Sequence, residues 1–315
     1  MIQFAAKIAA ELNLAVHQVE NTLRLLQDGA TIPFISRYRK EVTGSLDEVV
    51  IGHIRDRAQT LQELEKRREV ILASVLEQGK LSDELKRQLL QAATMAELED
   101  LYLPYRPKRK TRASIARAKG LEPLASFLMA QTPRDPEAEA ERFVDGEKGV
   151  NDIGEALAGA RDIIAEDVNE NANVRQRMRN LFQREAVISS KVVKGKEIEG
   201  NKYESWYEWN EPMAKAPSHR LLAMFRGENE GFLRISVEPD PEKAVDLLEK
   251  FVIKNSTPSA LQVQLAVKDS YKRLLQPSME TEVRQLAKER ADGEAIRVFA
   301  ENLRQLLMAP PLGHK

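Results

Sequence analysis

Apolar residues recur at steps of three, four and seven along most of the chain, the spacing that places them on one face of an α-helix. Residues 3–12 and 17–28 read as short amphipathic helices. In the second, Val19, Leu23 and Leu26 share a face and Asp28-Gly29 supplies a C-terminal stop. Ser45 stands three residues before Glu48, the spacing of a capping box, and predicts the start of a much longer helix. Along it Val50, Ile54, Leu61, Leu64, Ile71 and Val75 form a stripe that only Gly52 interrupts before Gln78-Gly79. A helix of about 33 residues would run about 50 Å. Arg57 and Arg68 fall on the same stripe, which predicts packing on neighbouring helices rather than a coiled-coil seam.

Ser82 is placed to cap 83–92, and Thr94 to cap 95–102 with Glu97 at the box position. Leu103-Pro104 and Arg106-Pro107 then interrupt the helical pattern and predict an extended linker. Helices are expected again near 112–119, 121–131, 151–168, 173–186, 218–226, 241–254, 258–275 and 279–308, with Ser218 as an N-cap. In the last, Ile296, Phe299, Leu303, Leu306 and Leu307 make one apolar stripe. Segments 187–194 and 231–238 are the plausible strands, and the first reads equally well as the continuation of a helix. The expected fold is mainly α: an irregular multi-helix array with helix-turn-helix-like elements and at most a minor pair of strands. Its expected division is an N-terminal helical unit over 1–105, a second helical unit over 106–309, and a tail at 310–315 leading to a further domain. No repeat of 20–50 residues is visible, which argues against a regular solenoid.

Composition narrows the chemistry. The 315 residues include no cysteine, so disulfides, thiolate metal sites and cysteine nucleophiles are excluded. The start, MIQFAAKIAAELN, lacks the features of a secretory signal, and no run of 18 uncharged apolar residues suggests a membrane span. The expectation is a cytoplasmic protein that contacts no membrane. The formal net charge of −1 does not by itself mark a nucleic-acid binder, but charge is unevenly spread. Residues 106–119 hold seven bases (Arg106, Lys108, Arg109, Lys110, Arg112, Arg117, Lys119) and no acid, while 134–170 hold twelve acids and four bases.

Two readings of the basic run stand side by side. A proline-stiffened basic segment can track phosphates by releasing their counterions, or the run is a linker whose bases pair with the acidic block. A second set of bases, Arg37, Arg39 and Lys40, follows a short helix and a glycine turn in the cadence of a helix-turn-helix. Against that stands the need for Phe34, Ile35 and Tyr38 in the core. Trp206, Tyr207 and Trp209 read as a loop plug over the core or as a partner-binding patch. For catalysis the sequence offers little: four histidines, and no HExxH, glycine-rich phosphate loop or GxSxG. Ser218 and His219 are adjacent, so on a helix they diverge and make no nucleophile–base pair. No enzyme, cofactor or metal is expected.

Four stretches together go beyond generic helix: GATIPFISRYRKEVTGSLDE at 29–48, LEDLYLPYRPKRKTRASIARAKGLEPLA at 98–125, PSHRLLAMFRGENEGFLRISV at 217–237, and the terminal AIRVFAENLRQLLMAPPLGHK. In this order and spacing they resemble the N-terminal region of the Tex family of bacterial transcription-accessory proteins. The resemblance implies a helical region followed, in the family, by RNase H-like, helix-hairpin-helix and RNA-binding OB-fold domains that this sequence does not contain. It implies a non-enzymatic scaffold in a nucleic-acid-binding transcription accessory protein, with RNA or DNA bound without sequence preference. The alternative is a platform docking on the transcription machinery or on the protein's own C-terminal domains.

Overall fold

The computed structural model describes residues 2–107 and 110–308, which form two compact units, Met1–Tyr105 and Arg106–Lys315. The first is built from seven helices: α1 (Ala5–Leu12), α2 (Val16–Gln27), α3 (Ile32–Tyr38), α4 (Lys40–Thr43), α5 (Glu48–Glu77), α6 (Asp83–Gln91) and α7 (Met95–Tyr102). The 30-residue α5 is its spine. Ile51, Ile54, Ala58 and Leu61 pack against Ala5, Ile8, Val19, Leu23 and Ile35, whereas Leu64, Ile71 and Val75 pack against Leu85, Leu89, Leu98 and Tyr102. One helix thus serves two separate cores.

Arg68 is buried on the α5 stripe, and the reason lies in α6. Its Nε donates to Leu89 O (2.9 Å) and its Nη2 to Ala92 O (2.8 Å), carbonyls at the C-terminal end of α6 that have no partner within their own helix. Glu65 balances its charge. The cap of α5 differs from expectation. Ser45 sits at φ 64, in the left-handed region, and Asp47 with its extended backbone accepts from Val50 N at 2.8 Å. Ser82 and Thr94 do cap α6 and α7. After α7 the expected extended segment begins instead as a 3-10 turn, Leu103–Tyr105, a conformation that suits the fixed φ of Pro104. Gln78 Nε2 holds that turn by donating to Tyr105 O (3.0 Å).

The second unit has one continuous core. Its elements are α8 (Arg112–Ala118), α9 (Glu122–Ala130), α10 (Pro136–Glu141), α11 (Ile153–Glu170), α12 (Ala172–Glu185), β1 (Val187–Val192), β2 (Glu208–Pro212), α13 (Ser218–Asn229), β3 (Leu233–Glu238), α14 (Pro241–Val252), α15 (Pro258–Ser270) and α16 (Gln276–Met308). Helix α11 packs closely on α8 and α9, and a Cβ at Gly159 would overlap Leu121 Cδ1. Its other face meets α15, where Ser270 Oγ donates to Ala165 O at 2.7 Å.

The strands form an antiparallel sheet in the order β2-β1-β3, so the mainly α fold carries three strands rather than a pair. The additional strand, EWNEP, has no apolar alternation to announce it; it pairs with the free edge of β1, with Ser189 opposite Asn210. Trp209 therefore lies on a strand, not in a loop. It meets Trp206 edge-to-face with ring centroids 5.1 Å apart, and both pack against the core.

Two helices expected to be separate are one. Between α15 and α16 the backbone continues through a π-helical turn, Tyr271–Leu275, where Gln276 N donates to Tyr271 O. Pro277 lacks an N–H and would press on the carbonyl four residues back; the wider turn relieves both problems without ending the helix. Buried contacts run through Ala291, beyond which Ile296, Phe299, Leu303, Leu306 and Leu307 are exposed. Ser218 is the first helical residue of α13 rather than its cap, because Pro217 holds the extended position. The Ser218 hydroxyl donates to the Glu294 carboxylate instead.

Candidate nucleic-acid interface

The seven bases of 106–119 divide by their surroundings. Arg106, Lys110 and Arg112 are exposed and form no ion pair with a described residue. Lys108 and Arg109 lie outside the described residues. Arg117 projects from α8 onto α11, with Nη1 2.6 Å from Glu166 and Nη2 2.5 Å from Asp167, and Glu122 3.7 Å from its Nε. Burial opposes its charge, but the three carboxylates outweigh burial and raise its pKa above the usual arginine value. Lys119 is half-buried and donates to Gly149 O at 2.5 Å. The acidic block therefore meets the basic run at Arg117. Thr111 separates the parts: it accepts from Ser114 N (3.0 Å) while Ser114 Oγ accepts from Thr111 N (2.8 Å), so α8 starts there.

The other candidates lie on α3 and α4. Arg37, Arg39 and Lys40 are all exposed, and Arg37 is only loosely paired, 3.7 Å from Glu48. Thr31 caps α3 by accepting from Phe34 N. The end of α4 is tied to α2, whose Asn21 Nδ2 donates to Val42 O (2.9 Å) and Gln18 Nε2 to Thr43 O (3.1 Å). Gly44 is required at that contact: its φ is +69, and a Cβ there would overlap Gln18 Nε2.

Of the three α3 residues assigned to the core, only Ile35 is buried there. Phe34 is 39% and Tyr38 64% exposed. The sequence held a signal for this. At 3.6 residues per turn Ile32, Phe34, Ile35 and Tyr38 span an arc of about 160°, wider than the stripe of about 100° that faces a core, with Phe34 and Tyr38 at its outer edge.

No group of three or more metal-ligating side chains occurs among the described residues, and no described helix is long and apolar enough to cross a membrane. A Tex-like protein N-terminal domain model matches residues 2–76, and a Tex central region-like model matches residues 131–299. The chain belongs to the Tex family. It is 44% identical over 313 residues to the uncharacterized protein YdcI of Bacillus subtilis, covering 98% of this chain and 43% of that protein. It is 41% identical over 317 residues to the transcriptional accessory protein Tex of Neisseria gonorrhoeae, covering 97% and 41%. With the human S1 RNA-binding domain-containing protein 1 the identity is 28% over 310 residues, covering 93% and 31%. The chain thus spans less than half the length of these relatives.

Proposed function

We propose that this chain is a non-enzymatic scaffold region of a transcription accessory protein that touches nucleic acid weakly and without sequence preference through the basic segment ahead of α8. The observation that carries this reading is the exposure of Arg106, Lys110 and Arg112 beside an α8 that Arg117 and Lys119 fasten to the core. Three exposed cations on the flank of a fixed helix suit phosphates, which position a nucleic acid without carrying sequence. The names of the relatives, a transcriptional accessory protein and an S1 RNA-binding protein, support a nucleic-acid partner. Ser218 and His219 are successive residues of α13, so their side chains diverge and make no nucleophile–base pair.

The test is a salt titration with labelled duplex DNA. Replacing Arg106, Lys110 and Arg112 by Ala should weaken binding at low salt and reduce the slope of log K against log salt by up to about 2.7, at about 0.9 per phosphate contact. An unchanged slope would reduce the segment to a linker.

The exposed apolar stripe of α16 favours the second reading, a protein-docking platform. On that reading purified RNA polymerase is retained by the immobilised chain, and Leu303→Glu abolishes retention.

A further inference from the structure

The exposed aromatic rings of α3 beside three exposed bases at the α3–α4 junction are not explained by the fold. Phe34 and Tyr38 are four residues apart, so their rings lie on one face, with centroids 5.5 Å apart and planes tilted by 44°. The Arg39 guanidinium lies over the Phe34 ring at 5.2 Å from its centroid, and its Nη1 donates to Tyr38 O at 3.2 Å. Arg37 and Lys40 flank the rings, both exposed; Glu41 is the acid nearest in sequence, and Glu48 lies 3.7 Å from Arg37. Phe34 and Tyr38 stay exposed although the neighbouring Ile35 is fully buried. Ties from Gln18 and Asn21 to the backbone of 42–43 hold the end of the adjoining α4, so the platform does not need to order itself on binding.

We infer that Phe34, Tyr38 and Arg39 form a stacking platform for unpaired bases of single-stranded RNA, with Arg37 and Lys40 contacting the flanking phosphates. A double helix keeps its bases stacked on one another and cannot offer a face to these rings, whereas a single strand can, and each base has a π-face whatever its identity. An arginine already lying on one ring extends the platform as a second flat, cationic surface. RNA rather than DNA is assigned because a relative is named a transcriptional accessory protein, and transcription releases RNA as a single strand while its DNA re-forms a duplex. The inference rests on the reading of the chain as a nucleic-acid binder, but it uses a different site and a different force. Stacking is insensitive to salt, so this component of binding persists where the phosphate contacts of the basic segment have faded.

The experiment is fluorescence anisotropy of the whole 315-residue chain with a labelled oligouridylate of about 12 nucleotides, within the usual single-strand site sizes. It is run at about 50 and 200 mM salt beside an oligodeoxythymidylate and a DNA duplex. Tyr38→Ala should weaken oligouridylate binding by about ten-fold at both salt concentrations, the range expected for one stacked base. Tyr38→Trp should preserve it, and its indole emission should be quenched on binding. Because Tyr38 is largely exposed, both variants should melt with the wild type. The Arg106, Lys110 and Arg112 variant should weaken the duplex more than the oligouridylate.

Unchanged oligouridylate affinity in Tyr38→Ala, with loss confined to the basic-segment variant, overturns the platform and leaves the proposed function standing. Duplex bound as tightly as oligouridylate at the higher salt also overturns it. Oligodeoxythymidylate bound ten-fold better than oligouridylate overturns the assignment to RNA. A wild-type chain that binds none of the probes overturns both proposals.

Discussion

The two units bury their apolar residues in different ways. The first divides its core in two along a single helix, and its ends are closed by polar contacts: Arg68 on the carbonyls of α6, Arg67 bidentate on Glu99, and Ser74 Oγ 3.1 Å from Tyr102 Oη. The second packs helices around α11 and its sheet against α13 and α16, and one core runs from Ala113 to Ala291. A large core is stable through packing alone and can absorb buried ion pairs such as Arg179–Glu282. A small core leaves more of each helix on the surface, and the exposed aromatic and basic side chains of α3 belong to the unit with small cores. The lesson is that surface available for binding increases as the core is subdivided.

Trp206 and Trp209 both lie in the second unit, so tryptophan fluorescence reports that unit alone while far-UV circular dichroism reports both. The largest effect is expected for Phe182→Ala, which opens a cavity at a fully buried ring and should cost about 3–5 kcal/mol. In urea it should move the fluorescence transition and leave a later or unchanged ellipticity phase from the first unit. If both signals move together, the two units unfold as one and the contrast between them is wrong.

Next comes Arg68→Ala, which strands the Leu89 and Ala92 carbonyls and leaves Glu65 without its partner. A cost of about 3 kcal/mol is expected, seen in ellipticity and absent from tryptophan fluorescence. An equal shift in fluorescence would show that the core around α6 is coupled to the second unit.

Tyr271 supplies a test at high pH. Burial, followed by the nearby Glu238 and Asp240 carboxylates, pushes its phenol up to about 12. The unfolded phenol titrates near 10, so the folded state holds this proton more tightly. That stabilisation is complete below about pH 10 and is lost as pH rises toward 12, on the order of 2 kcal/mol at its limit. Tyr271→Phe should remove this loss from the fluorescence-detected stability. At neutral pH it should change little, because the buried hydroxyl has no hydrogen-bond partner among the described residues. A parallel alkaline decline in both proteins would assign the titration elsewhere.

The smallest effect belongs to the first unit. The hydrogen bond from Arg57 holds the Glu11 carboxyl below its ordinary value. The resulting stability is present above the unfolded pKa of about 4.3 and is lost as pH falls through the lower folded value. Both side chains are about a third exposed, so Arg57→Ala should cost less than about 1 kcal/mol at pH 7 and nothing near pH 2. A cost that persists in acid would point to lost packing of the Arg57 stem.

Most helices were legible because their determinants are local. Caps at Ser82 and Thr94 and the stripe through Ile54, Leu61, Ile71 and Val75 depend on residues a few positions apart. β2 was not legible, since its residues form a strand only because β1 presents an edge. The continuity of α15 with α16 was hidden by Pro277, whose cost the π-helical turn absorbs. At α3 the sequence misjudged the rings: Phe34 and Tyr38, expected in the core, are exposed.

The sequence by itself determined helical character, the start of most helices, the location of charge and, through its motifs, the family. Tertiary structure alone decided which apolar faces are covered: an apolar stripe records that a face can be buried, not that anything buries it, so Ile54 is enclosed while Phe299 and Tyr38 are exposed. It also decided which bases remain available. Arg112 and Arg117 are equivalent in the sequence, five residues apart in one basic run, and they differ only because folding brings Glu166 and Asp167, some fifty residues distant, to one of them and not the other. A guanidinium matched to carboxylates at hydrogen-bond distance gains little by exchanging them for a phosphate, whereas an exposed one still has that interaction to make.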